Sequence, residues 1–321
     1  MILVFFSHCS IFTGQSIGII RNLMEPVYVN AFFLVSGYLF FRKYLHGVEG
    51  PTQICRGYTN LLYRIVLPSV IFATFTFFPK KIIRGSEGSD LMAFLLETVG
   101  GCTYWFTSAL VVVQVIMLLL VLTRRNIWFY LFVSVCFCYV GYILTITRVC
   151  LVDGYSSFPW MYKQGFIATL FFVSGGVLYQ YEEIITRYLK GWIMVLAVMI
   201  YVVPLLFAYH YIHCTTSMCE INFYGAFVGI LGCLLLTKVC GAIPFNPALN
   251  FIGNNSLGMY FLSGAIPSLL AATVSRICPI GPMSLLLVFV FLLIVSSIVV
   301  MLINKYMPFL FNFRLLTKQV T

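Results

Sequence analysis

Residues 283–303 read MSLLLVFVFLLIVSSIVVMLI, a run without a single charged side chain. A helix rises about 1.5 Å per residue, so about 20 apolar residues cross the ~30 Å hydrocarbon core of a bilayer. This run is therefore read as a membrane-spanning helix. Nine more apolar segments fall near 1–14, 26–45, 61–79, 104–123, 127–146, 164–181, 191–209, 221–240 and 256–274. They are too long and too continuous for barrel strands, which alternate in segments of roughly ten residues. The expected fold is an all-α, polytopic membrane bundle of about ten transmembrane helices. The first is incomplete, because its apolar run reaches only about half of the ~20 residues a span needs. It also lacks the basic n-region and cleavage site of a signal peptide. Residues 90–101 (DLMAFLLETVGG) are too short to span and are expected to lie at the interface or to re-enter.

Composition agrees. The chain has 321 residues, 61% hydrophobic and 9% charged, whereas soluble domains carry about 25% charged residues. One integral-membrane domain over residues 1–321 accounts for everything. The net charge of +10, from 19 Lys/Arg against 9 Asp/Glu, would suggest nucleic acid in a soluble protein. Here the basic residues sit in short loops, where they encode orientation, so nucleic acid is not an expected partner. With the N-terminus in the cytoplasm, twelve of the nineteen Lys/Arg fall on the cytoplasmic side, among them Arg42, Lys43, Arg56, Arg64, Arg124, Arg125, Arg187, Lys190 and Lys238. Lys80, Lys81 and Arg84 oppose that count, which still favours both termini inside.

Small residues punctuate the apolar runs. Phe32–Gly37 (FFLVSG) and Phe171–Gly175 (FFVSG) look alike, and Gly225 and Gly229 form a small-xxx-small pair. Such residues let membrane helices approach closely, and these stretches are read as packing seams. Of the eleven cysteines, those in apolar runs are read as small hydrophobes. His210, His213, Cys214, Cys219 and Glu220 crowd one loop, but their spacing fits no zinc pattern. A Cys214–Cys219 disulfide, or pairing with Cys150 or Cys278, is the alternative there. No metal site is expected, and there is no Walker motif, GxSxG or GxGxxG.

His8 stands out in the opening run MILVFFSHCSIFTG. An ionisable group at membrane depth is costly and marks a functional-site candidate by default. It is either a buried, hydrogen-bonded histidine or a general base. A neutral imidazole with an ordinary pKa of about 6.5 can take a proton from a hydroxyl. Arg56 and Arg64, in ICRGYTNLLYRIVLPSV, are either positive-inside anchors or an anion clamp, since arginine's rigid fork of donors suits phosphate. Arg42 and Lys43 end the preceding segment on the same side. Trp105 is either an interfacial anchor or part of a substrate site. Asn254, Asn255 and Ser256 are either a helix N-cap or donors facing a substrate cavity. Asn255 or Ser36 could stabilise a developing oxyanion.

Together these stretches resemble the bacterial acyltransferase-3 family of integral-membrane O-acyltransferases over nearly the full length. Phe5-Phe6-Ser7-His8-Cys9-Ser10 resembles its first-helix stretch ending in histidine. Val29–Leu39 resembles its second-helix FFxxSGxxL, and Arg64-Ile65-Val66-Leu67-Pro68 its arginine-bearing entry to the third helix. Trp105-Phe106 resembles LWFL, and Phe251–Tyr260 resembles IGxxSLxIYLxH. The resemblance implies ten helices. It also implies transfer of an acyl group, usually acetyl from acetyl-CoA, to a hydroxyl of a cell-surface or lipid-linked glycan at the bacterial cytoplasmic membrane. No bound cofactor is implied. His8 would be the histidine, and Arg64 would be among the donor-side arginines. The family's arginine eleven residues before that histidine would fall before Met1, so the chain is expected to be truncated. Ser263 stands at the YLxH histidine, and Thr103-Tyr104 stand where a histidine often precedes LWFL. The alternatives are a glycan or lipid-intermediate transporter or flippase, and an inactive truncated member.

Overall fold

A computed structural model describes residues 1–13, 18–45, 50–84, 91–148, 158–207, 223–264, 282–313 and 315. The loop holding His210 to Glu220, together with Cys150 and Cys278, lies outside the described residues. In chain order the helices are α1 (Ile2–Thr13), α2 (Gly18–Tyr28), α3 (Asn30–Tyr44), α4 (Pro51–Leu61), α5 (Leu67–Arg84) and α6 (Leu91–Thr98). They continue as α7 (Trp105–Leu120), α8 (Ile127–Ile146), α9 (Tyr162–Gln180), α10 (Glu182–Tyr188), α11 (Gly191–Phe207), α12 (Phe223–Ala242) and α13 (Pro247–Asn254). Helical residues 256–264 (α14) and α15 (Pro282–Tyr306) follow. The described residues contain no strand.

Six helical stretches among the described residues are long and apolar enough to cross a membrane: Leu23–Tyr44, Pro51–Phe77, Trp105–Thr123, Ile127–Ile146, Gly225–Ala242 and Leu285–Tyr306. Counting α10 and α11, which bend by 93°, as one span would give seven. The chain is an all-α, multi-pass membrane bundle. The span expected near 61–79 starts earlier, at Pro51. Residues 51–60 are too polar for hydropathy to mark, but Pro51 at the first position of α4 suits a helix start, where its missing N–H is no loss. As expected from its length, 91–98 forms only a two-turn helix, α6.

The residues cluster into two compact units. The first comprises Met1–Gly18, Leu62–Tyr104 and Phe245–Thr321, and holds α1, α5, α6, α13, α14 and α15. Its core gathers Phe5, Cys9, Phe72, Tyr104, Met259, Phe261, Phe289 and Leu292. Phe5 and Cys9 lie four residues apart, so both face this core from one side of α1. Phe6 meets Phe289 of α15 edge-on at 5.4 Å. Phe311, Phe72 and Phe261 stack in a column, with centroids 5.5 and 4.8 Å apart.

The second unit comprises Ile19–Leu61 and Trp105–Pro244. Its axis is the pair α3–α9. Both sequence seams lie here, one against the other. A Cβ added at Gly37 would overlap the Phe172 carbonyl, and one at Gly175 the Leu34 carbonyl. Lipid tails are as apolar as leucine, so hydrophobicity does not drive helices together in a membrane, and close backbone approach takes over that task. Gly229 serves likewise, because a Cβ there would crowd the Phe171 ring at 2.9 Å and the Pro26 carbonyl at 3.0 Å. The contacts run in register. Pro26 sits near Phe171 and Gly229, and Tyr38 meets Tyr179 at 5.4 Å. Helices α3, α9 and α12 are therefore parallel. Helix α8 runs against them, with Gly141 beside Lys163 at the start of α9 and Ile127 beside Gly176 near its end.

Candidate functional site

His8 lies at the edge of the buried face of α1. Phe5 and Cys9 on that face are fully buried, Ser7 and Ser10 are 5% and 4% exposed, and His8 itself is half-buried. It thus borders the core of the first unit without being sealed in it.

The same core brings together the two positions where the resemblance would place further histidines. The Tyr104 hydroxyl donates to the Phe261 carbonyl at 2.9 Å, and its ring meets Phe261 edge-on at 5.0 Å. Ser263, two residues on and 1% exposed, returns its hydroxyl to the Tyr260 carbonyl at 2.7 Å. Thr103 Oγ1 is buried with no hydrogen-bond partner among the described residues. Buried hydroxyls are nearly always satisfied, so this one is a vacant donor and acceptor beside Tyr104. Cys102 is held toward its thiol form. Burial, with the nearby Glu97 charge adding to it, pushes its thiol up to about 11, and the attacking species of a cysteine is the thiolate.

Asn255 sits at the junction of α13 and α14. Its backbone carbonyl accepts from Met259 at 2.9 Å, as a helix-start residue should. Its side chain does not cap. Asn255 Nδ2 donates to the Phe251 carbonyl at 2.8 Å, and Oδ1 accepts from Asn304 Nδ2 at 2.6 Å. Asn304 on α15 therefore fixes the orientation of Asn255, a long-range pairing that no local sequence signal announces. Ser256 opens α14, half-buried.

Arg64 occupies the centre of a π-helical turn, Leu62–Val66, between α4 and α5. Pro68 explains it. A proline cannot bond the carbonyl four residues back, and its ring collides with that carbonyl, which here belongs to Arg64. The widened turn relieves the collision, and such turns concentrate at functional sites. Two carbonyls of the turn find other donors. Ser69 Oγ donates to Ile65 at 2.7 Å, and the Phe313 N–H donates to Tyr63 at 3.1 Å. The Arg64 side chain is exposed.

Ser36, Arg56 and Trp105 belong to the second unit. Ser36 lies in the α3 seam, half-buried, and Trp105 is the half-buried first residue of α7. Arg56 is exposed on α4. Its neighbour Gly57 packs where a Cβ would lie 3.1 Å from the Tyr44 hydroxyl, which accepts from Lys43 Nζ at 3.0 Å. Tyr58 donates to the Val115 carbonyl of α7 at 3.4 Å. Arg42, Lys43 and Arg56 thus gather at one end of the unit, the end where α7 finishes before Arg124 and Arg125.

A family model described as an acyltransferase domain matches residues 1–305. No curated protein and no solved structure matches the chain.

Proposed function

The chain belongs to the acyltransferase-3 family, and from that premise we propose that it moves an acyl group, acetyl first among them, from acyl-CoA to a hydroxyl of a cell-surface or lipid-linked glycan. The family match over residues 1–305 carries this reading. Orientation follows from the cation-rich end of the second unit. Basic residues mark the cytoplasmic side, which puts Arg42, Lys43 and Arg56 toward the compartment that holds acyl-CoA. We place both termini in the cytoplasm, as the Lys/Arg count over the whole chain favours, and the chain in the bacterial inner membrane.

His8 is the general base. Its imidazole takes the proton of the acceptor hydroxyl as the oxygen forms the ester bond. The carbon–sulfur bond breaks, and the proton passes to the departing CoA thiolate. Arg64, in the same unit as His8 and Asn255, holds the donor's phosphates through charge-assisted hydrogen bonds. Asn255 keeps one N–H of its amide beyond the one given to Phe251, and that N–H serves the developing oxyanion.

The test is acetyl-CoA-dependent thiol release and glycan acylation, followed by mass spectrometry on membranes carrying wild type or His8→Ala. General-base removal should lower transfer by about 10²-fold or more. Undiminished transfer sinks His8 as the base. A transporter draws on one feature, the 93° break between α10 and α11, because discontinuous helices mark transport sites. Glycan export without any acetyl-CoA dependence would favour that reading instead.

A further inference from the structure

The second unit contains a lateral cleft of about 540 Å³ among the ends of α3, α9, α10 and α12. This volume lies within the range of small-ligand sites. Its lining is segregated. Leu34, Val35, Leu178 and Leu234 form an apolar wall, while Tyr38, Glu182, Thr186 and Lys238 stand together toward the helix ends. Val35 is exposed on the outside of the bundle. In a bilayer, an open apolar cleft of this kind faces lipid.

The polar end carries two opposite charges that do not use each other. Among the described residues, the Glu182 carboxylate accepts the Tyr38 hydroxyl at 2.6 Å. The Lys238 ammonium donates to the Thr186 carbonyl, in the last turn of α10, at 3.2 Å. A carboxylate has about four acceptor positions and an ammonium three donors, so both keep capacity for a ligand. We infer that this cleft holds a membrane phospholipid with an amine-bearing headgroup. One acyl chain lies along the leucine wall, the phosphate meets Lys238, and the headgroup ammonium meets Glu182. A purely anionic headgroup would set its phosphate against the Glu182 charge with nothing to offer the carboxylate. A quaternary choline has no N–H to donate to it.

The site is tested apart from catalysis. The full-length protein is reconstituted in nanodiscs of equimolar phosphatidylethanolamine, phosphatidylglycerol and phosphatidylcholine, re-extracted in mild detergent, and its retained lipid is measured by native mass spectrometry. Wild type should retain phosphatidylethanolamine over the other two by about tenfold, a difference of about 1.4 kcal/mol. Glu182→Gln should erase that preference, and Lys238→Gln should weaken retention of all three. Gly241 lines the cleft, and a Cβ there meets nothing within 4 Å. Gly241→Phe should therefore plug the cleft without disturbing the bundle and abolish retention. Lipid retained in the proportions of the mixture, or retention undiminished in Gly241→Phe, overturns the inference.

Discussion

At the scale of single residues, the first unit depends on a few polar contacts inside an apolar core. Tyr104→Phe removes one donor from the Phe261 carbonyl and leaves the edge-on ring contact intact. Net hydrogen bonds contribute about 1 kcal/mol, so the thermal midpoint in detergent should fall by a few degrees while the helical content is unchanged. His8, Arg64 and Asn255 stand out in the sequence as candidates because charge or amide groups beside long apolar runs are conspicuous. The partner of Asn255 was not legible. Asn304 lies 49 residues away on α15, and pairing at that distance leaves no trace in one chain's periodicity. The choice between cap and substrate donor at Asn255 therefore needed coordinates, which show a side chain turned to Asn304 instead of the helix start.

At the scale of elements, apolar length alone dictated most of the helices, and it failed where polarity hid one. Residues 51–60 extend the span that bears both arginines, and the π-helical turn within it follows from Pro68 together with its distance from Arg64. Pro68→Ala should let the turn close into regular α-helix. Rewinding the π turn to α geometry at constant chain length rotates Arg64 by about 100° relative to α5. If Arg64 holds the donor, KM for acyl-CoA should rise with kcat less affected, and the protein should remain folded. The seam between α3 and α9 gives a second expectation. Gly37→Ala forces a Cβ into the Phe172 backbone and should cost about 1–3 kcal/mol, the usual penalty of overpacking. Gly253→Ala, where a Cβ meets nothing within 4 Å, should be neutral or gain up to about 1 kcal/mol from helix propensity. Comparing the two thermal midpoints isolates the seam from the general effect of adding a methyl.

At the scale of the molecule, orientation can be read chemically. Cys55 and Cys240 are free, exposed thiols, close in sequence to Arg56 and Lys238 at the cation-rich end of the second unit. A membrane-impermeant maleimide should label both in inside-out vesicles and neither in right-side-out vesicles, and the reverse pattern would invert the topology. The sequence suggested this end through loop charges alone. The parallel run of α3 and α12 adds that Arg42 and Lys43 stand at the same end of the unit as Lys238. That same seam has a consequence for heredity. Gly37 and Gly175 each press on the other helix's main chain, not on a side chain. A damaging substitution at either position thus has no partner residue that could shrink to make room. Genetic selections for second-site suppressors should return true revertants at these two codons and little else, whereas lesions at Gly176, which faces the ring of Phe41, should be rescued by trimming that ring.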